Sequence, residues 1–154
     1  MKLSTKGRYG LRAMVDLAVH ETEGPVSIQS IADRQELSEK YLEQLLGMLK
    51  RAGLVTASRG SQGGYRLAKD SGHISAGDIL RALEGDLSPV DCAGFSAEPH
   101  CKSAGSCVTK YVWRRLKEAV EDTLNGISLK ELAARSRSLE EKGEQNASPE
   151  NKIT

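Results

Sequence analysis

Apolar and polar positions recur at helical spacing through most of the first fifty residues of this 154-residue chain. Leu11, Val15, Ala18 and Val19, with Met14 beside them, predict an amphipathic helix over 5–22 behind a Ser4 cap, stopped by Gly24-Pro25. Ile28, Ile31 and Ala32 form a single apolar stripe over 27–35, with Ser27 placed to cap it. From Ser38 onward, Leu42, Leu45, Leu46 and Leu49 fall at i, i+3, i+4 and i+7, and Gly53 stands as the stop. The period then changes. Residues 54–58 and 65–67 read as strands, with Arg59-Gly-Ser-Gln-Gly-Gly64 as a hairpin tip between them. Ser75 and Asp78 make a capping box ahead of Ile79, Leu80 and Leu83, a short helix ended by Gly85. Residues 86–107 carry Pro89, Gly94, Pro99 and Gly105 without periodicity, which predicts a loop. A long helix is expected over 108–125, with Val112, Leu116, Ala119, Val120, Thr123 and Leu124 on one side and Lys117, Glu118, Glu121 and Asp122 on the other. Ser128 and Glu131 open a short last helix to about Arg135, and the polar stretch 136–154 reads as a disordered tail.

Short helix, tight turn, longer helix and glycine-tipped hairpin is the order of a winged helix-turn-helix, so the fold class is mainly α with a small β-hairpin. The leucines of the longer helix must face the core. Lys40, Glu43, Gln44 and Gly47 are thereby turned outward, where Gln44 can bridge an adenine edge and Ser38 or Lys40 can reach phosphate or guanine. Arg59, followed by Gly60 at the hairpin tip, is placed to enter a minor groove because its small neighbours let the guanidinium approach.

Charge supports that reading only when divided along the chain. The net charge is +1, yet residues 1–69 hold eleven Lys and Arg against seven Asp and Glu, leaving +4 on the first part and −3 on the rest. Aromatic residues are only 4%, so the core must rely on leucine and small residues, and a second subunit is the natural means of completing it. No apolar run approaches the ~18 residues of a membrane span, and the Met-Lys-Leu-Ser start lacks an apolar signal region. The expectation is a cytoplasmic protein with no membrane partner.

Cys92, Cys101 and Cys107 are spaced C-x8-C-x5-C. This is neither the close pairing of structural zinc nor a C-x-x-C redox motif, and an odd count does not suit a disulfide framework. Three thiols on a small-residue loop can wrap an iron–sulfur cluster, since soft thiolates are its preferred ligands; free, unrelated cysteines are the other reading. With no nucleotide loop and no Cys–His pair on defined elements, an enzyme is not expected.

The stretches Met1-Lys-Leu-Ser-Thr-Lys-Gly-Arg-Tyr-Gly, Tyr41-Leu-Glu-Gln-Leu, Gly53-Leu-Val, Arg59-Gly-Ser-Gln-Gly-Gly-Tyr and Cys107-Val-Thr-Lys-Tyr-Val-Trp-Arg resemble the bacterial IscR, NsrR and CymR family of winged-helix transcription regulators. The resemblance covers about residues 1–135, and the cysteine triad makes the chain most similar to the IscR branch, regulators of iron–sulfur cluster biogenesis. It implies a homodimeric repressor that binds a double-stranded DNA operator, with a winged helix-turn-helix domain over 1–85, a cysteine-containing sensor loop over 86–107, and a long dimerisation helix with a short terminal helix over 108–135. It also implies a labile 2Fe-2S cluster, with 4Fe-4S as the alternative, held by Cys92, Cys101 and Cys107 and supplied by the iron–sulfur assembly machinery. Carried over by position, Tyr41, Glu43 and Gln44 match the recognition helix and Arg59 the wing, with Glu43 implicated in discriminating two classes of DNA site.

Two departures stand out. The family spacing C-x5-C-x5-C is lengthened by three residues here, and its C-x-T-H motif reads Cys107-Val-Thr-Lys110, so the histidine ligand is missing. Lys110 is a poor substitute because a protonated amine does not ligate. His100 is the most attractive replacement, followed by Asp91 or a residue from the partner's N-terminal segment, with Glu98 weaker. Control of iron–sulfur biogenesis genes is the first functional expectation. An NsrR-like nitric oxide or redox sensor and a thiol-sensing regulator of cysteine metabolism are the alternatives.

Overall fold

The computed structural model describes residues 2–93, 101–103 and 105–147. Six helices and one hairpin follow in order: α1 (Thr5–His20), α2 (Ile28–Gln35), α3 (Glu39–Arg51), β1 (Val55–Ser58), β2 (Gly64–Leu67), α4 (Ala76–Glu84), α5 (Lys110–Asn125) and α6 (Leu129–Ala147). Short 3-10 turns at Glu21–Glu23, Ser71–His73 and Asp91–Ala93 connect them.

The caps legible in the sequence satisfy helix-end donors. Ser4, Ser27, Ser38 and Ser75 each accept a backbone N–H of their first turn, and at α4 the box closes in both directions, Ser75 N to Asp78 Oδ2 at 2.9 Å and Asp78 N to Ser75 Oγ at 3.0 Å. Ser128 Oγ likewise accepts from Glu131 N at 3.1 Å, while the Glu131 carboxylate turns to Arg135 Nε at 3.0 Å. Between α2 and α3 the chain reverses through Glu36, whose φ of 55° is left-handed and whose N–H returns to Ala32 O.

One core unites the helices. Met14 and Leu17 of α1, Ile31 of α2, all four leucines of α3, Ile79 and Leu83 of α4 and Leu129 of α6 are almost fully buried together. The buried stripe of α1 is therefore Ala13, Met14, Leu17 and Ala18; Leu11, Val15 and Val19 are only half-buried at its edge. Gly7 and Gly10 let α1 approach α4, since a methyl at Gly10 would strike the Leu83 side chain and one at Gly7 would meet Glu84 Oε1 at 2.5 Å.

β1 and β2 pair antiparallel from Val55 opposite Leu67 to Ser58 opposite Gly64. The segment before α2 joins them: Val26 N donates to Tyr65 O at 2.9 Å and Tyr65 N to Val26 O at 2.8 Å. A side chain at Gly64 would collide with the Val26 backbone, so the hairpin is keyed to the helix-turn-helix at this point.

Three sequence expectations are corrected. The last helix does not stop near Arg135 but continues to Ala147, so the expected disordered tail is helical over 136–147; residues 148–154 lie outside the described residues. Its continuation has a contact to make, as Arg137 donates to the carbonyls of Ala18 and Val19 at 3.1 Å and so caps the end of α1. The long helix begins at Lys110, after Val108 and Thr109, rather than at 108. One residue departs from the expected polar side: Lys117 is 7% exposed, against Asp86 and Glu121 at 4.0 Å each; of the expected apolar side, Val112 and Leu116 are 52% and 43% exposed while Val120 and Leu124 are half-buried. Among the described residues no helix is long and apolar enough to cross a membrane.

Candidate nucleic-acid interface and cysteine segment

With Leu42, Leu45, Leu46 and Leu49 locked inward, α3 presents Lys40, Glu43 and Gln44 to solvent. A methyl at Gly47 would meet nothing within 4 Å, so this face is open to a large surface. Ser38 uses its hydroxyl inside the molecule, accepting from Tyr41 N at 3.2 Å. Tyr41 is half-buried: its ring meets Tyr9 edge-on at 6.2 Å and its hydroxyl donates to Thr5 Oγ1 at 3.3 Å. The start of α3 is thus held against the start of α1, which the apolar pattern of either helix alone did not indicate.

The hairpin carries Arg59 and Gly60 at an exposed tip beside this face. Gly60 has a φ of 106° and accepts from Gly63 N at 3.0 Å, while a side chain at Gly63 would strike the Ser58 carbonyl. The charge of Glu43 reaches the wing. Burial first, and then the Glu43 carboxylate, pushes the Tyr65 phenol above its ordinary range.

Two polar clusters brace the reading head. Asp16, 2% exposed in its side chain, receives Arg34 Nη2 and Nε at 2.7 and 2.9 Å and Gln35 Nε2 at 3.0 Å, tying α2 to α1; the hydrogen bond to Asp16 raises the Arg34 pKa. On the opposite side, Glu84 Oε1 accepts from Ser4 N at 2.7 Å, Ser4 Oγ at 2.6 Å and Gly7 N at 3.0 Å. Burial alone would push the Glu84 carboxyl up, but the Ser4 hydroxyl and the Ser4 and Gly7 N–H groups together hold it below its ordinary value. Neither cluster was among the sequence-derived site residues. The spacing of Gly7 and Gly10 was the one available signal of close helix approach.

Cys92 and Cys101 are exposed and Cys107 is half-buried, and all three are free thiols. Cys107 Sγ lies 3.0 Å from Thr109 Oγ1, just ahead of α5. That hydroxyl, then the backbone N–H groups of Lys110 and Thr109, and last the Lys110 charge lower its pKa against a small desolvation. Among the described residues no group of three or more Cys, His, Asp or Glu side chains is gathered closely enough to hold a metal ion. The structure places Cys92, Cys101 and Cys107 on one segment without bringing them to one point. His100 and Glu98 lie outside the described residues, and Asp91 opens the exposed turn that contains Cys92. As chemistry, three free thiols with one biased toward thiolate match the soft donors of an iron–sulfur cluster.

Beyond this segment, α5 exposes Tyr111, Val112 and Leu116 beside Val108. Such a row of large apolar side chains in solvent is the mark of an interaction face.

Comparison with known proteins places these features in a family. The Rrf2 family, described as iron-dependent transcriptional regulators, matches residues 3–135. The transcriptional regulator CymR of Bacillus subtilis is 46% identical over 134 residues, spanning 87% of this chain and 91% of its own. The solved structure of B. subtilis CymR, the global cysteine regulator, superposes with a TM-score of 0.72 at 44% identity, covering 88% of this chain and 98% of that one. That of T. potens IscR gives 0.67 at 43% identity, covering 98% and 94%.

Proposed function

Because this chain belongs to the Rrf2 family of transcriptional regulators, we propose that it binds operator DNA as a homodimer and adjusts that binding to iron–sulfur status through Cys92, Cys101 and Cys107. The observation that carries the reading is the continuity of two surfaces: an outward α3 face beside a glycine-built wing, and a triad of free thiols leading into the exposed apolar face of α5.

In the complex, α3 lies in a major groove with Lys40 and Gln44 on base edges or phosphates, while Arg59 and the flexible Gly60 follow the adjacent minor groove. Ser38 and Tyr41 set the pose of the helix start, and the Ser38 segment approaches phosphate through its backbone. Glu43 places a carboxylate among acceptors and so penalises particular sequences. The three thiols would hold a 2Fe-2S cluster, a 4Fe-4S cluster being the other type, with His100 as the fourth ligand and cellular assembly machinery as donor. When bound, the cluster supplies a centre that is gained or lost with cellular iron and sulfide. The residues that transmit its presence are those around Cys107, which lead directly into α5.

A second reading has its own support. The thiols are dispersed among the described residues and Cys107 is biased toward thiolate, which suits a thiol sensor of cysteine metabolism. Anaerobic reconstitution separates the two. For the first, protein-bound iron and sulfide appear with visible absorption, and DNA affinity differs between loaded and unloaded forms. A colourless protein whose DNA binding changes only on thiol oxidation establishes the second. A His100→Ala variant with unaltered cluster spectra removes His100 from the ligand set and leaves Asp91, Glu98 or a residue of the partner's N-terminal segment.

A further inference from the structure

Residues 51–69, from the end of α3 through the hairpin, hold four Lys and Arg and no Asp or Glu. A segment of one sign that carries an exposed tip suits a polyanion. The tip itself has a fixed shape. Gly63 N donates to Gly60 O at 3.0 Å, which closes a four-residue turn with Ser61 and Gln62 at its two central positions. A side chain at Gly63 would strike the Ser58 carbonyl, so the two sides of the hairpin approach closely beneath the turn and leave Ser61 and Gln62 as its exposed apex. The paired hydrogen bonds between Val26 and Tyr65 anchor β2 to the segment before α2, and the apex thereby keeps its place relative to the helix-turn-helix.

Two side chains of this tip have unspent polar groups. Among the described residues neither Arg59 nor Gln62 makes a hydrogen bond or an ion pair within the chain. Gln35, in the packed part of the molecule, spends its amide on Asp16 and Arg12. The chemistry that the two bring to a minor groove differs. A guanidinium only donates, so Arg59 suits the acceptors of adenine and thymine and the potential of a narrow groove. Guanine adds a donor there, its 2-amino group, and a donor-only side chain cannot pair with it. Gln62 can, because its Oε1 accepts while its Nε2 donates, and the 2-amino group and N3 of guanine present the complementary pair side by side. The Ser61 hydroxyl offers a single short contact instead.

We propose that Gln62 is a specificity-determining residue of the DNA complex, which reads one guanine in the minor groove beside the base step that Arg59 occupies. The inference rests on the operator-binding reading above. It adds that the wing separates G·C from A·T by direct contact as well as by groove width.

The test takes the full chain, selects its site from a random duplex library, and replaces each guanine of that site in turn by inosine, which lacks the 2-amino group and keeps the major-groove edge. One inosine position is expected to weaken wild type about tenfold. Gln62→Ala should lose about the same factor on the guanine duplex, and inosine at that position should cost it nothing further. Because Gln62 is exposed and unpartnered in the chain, its variant should melt as wild type does. Inosine without effect at every position overturns the proposal. An inosine loss that persists in Gln62→Ala overturns it too, by marking groove shape as the cause, as does a loss that disappears in Ser61→Ala alone. The two readings fail separately: a chain that selects no duplex, with or without reconstituted iron and sulfide, overturns operator binding and this contact together, whereas a selected site indifferent to inosine overturns Gln62 alone.

Discussion

Single side chains at the reading head divide into those that brace it and those that face DNA, and substitution separates them. Glu84 braces: one carboxylate oxygen serves three donors at the start of α1, so Glu84→Ala is expected to cost about 2 kcal/mol in denaturant unfolding. Its pKa is lowered in the fold, so its contribution is complete above the ordinary glutamate value of about 4.3 and declines as pH falls below it. Unfolding midpoints of wild type and Glu84→Gln should accordingly differ most above that pH and converge in acid; a gap that widens on acidification would contradict the assignment. Glu43 and Arg59 face DNA. Glu43→Ala should broaden the set of sequences selected from a random library without weakening the best site, whereas Arg59→Ala should weaken binding about tenfold, most at sites with a narrow minor groove. Both should leave the melting temperature nearly unchanged, because each side chain is exposed.

At the scale of elements, periodicity and caps made the winged helix-turn-helix legible, because Leu42, Leu45, Leu46 and Leu49 share one face and each serine cap stands immediately before its helix. Which neighbour an apolar stripe meets was not legible. Leu11, Val15 and Val19 mark a real stripe on α1 but line a groove edge, since Met14 and Leu17, one residue earlier or two later, carry the core. On α5 the first part of the apolar stripe, Val112 and Leu116, is exposed while Val120 and Leu124 are half-buried, and Lys117 is buried beside the carboxylates of Asp86 and Glu121. The cysteines were legible as a set of donors and not as a geometry, for a loop without periodicity encodes no positions. The helix beyond Arg135 was missed because its polar composition hides a single anchoring contact, Arg137 on the end of α1. Truncation after Arg135 is therefore expected to cost about 1–2 kcal/mol, measured by chemical denaturation, and Arg137→Ala should account for most of that loss. An unchanged midpoint on truncation would show that the extension contributes nothing to the fold.

The whole molecule divides into a first part of charge +4 that carries the helix-turn-helix and wing, and a remainder of charge −3 that carries the thiols and α5. For the proposed dimer this division places the basic surfaces on DNA and the apolar face of α5 against the second copy. Val112 and Leu116 lie four residues apart on that face, and Tyr111 and Val108 extend it, so a charge placed at its centre meets its own image across a two-fold axis. Leu116→Glu is thus expected to yield a monomer in sedimentation at micromolar concentration. Its helical content by circular dichroism should match wild type, because residue 116 makes no core contact within the chain. DNA binding supplies the second half of the test. Two recognition helices on one palindromic operator combine their affinities through a high effective concentration, so the monomer should lose about a hundredfold or more on the full operator. On an isolated half-site it should bind as wild type does. The salt dependence should change in parallel, since halving the number of phosphates contacted halves the slope of log affinity against log salt. A variant that remains dimeric, or a monomer that keeps full operator affinity, would place the subunit interface elsewhere than on α5.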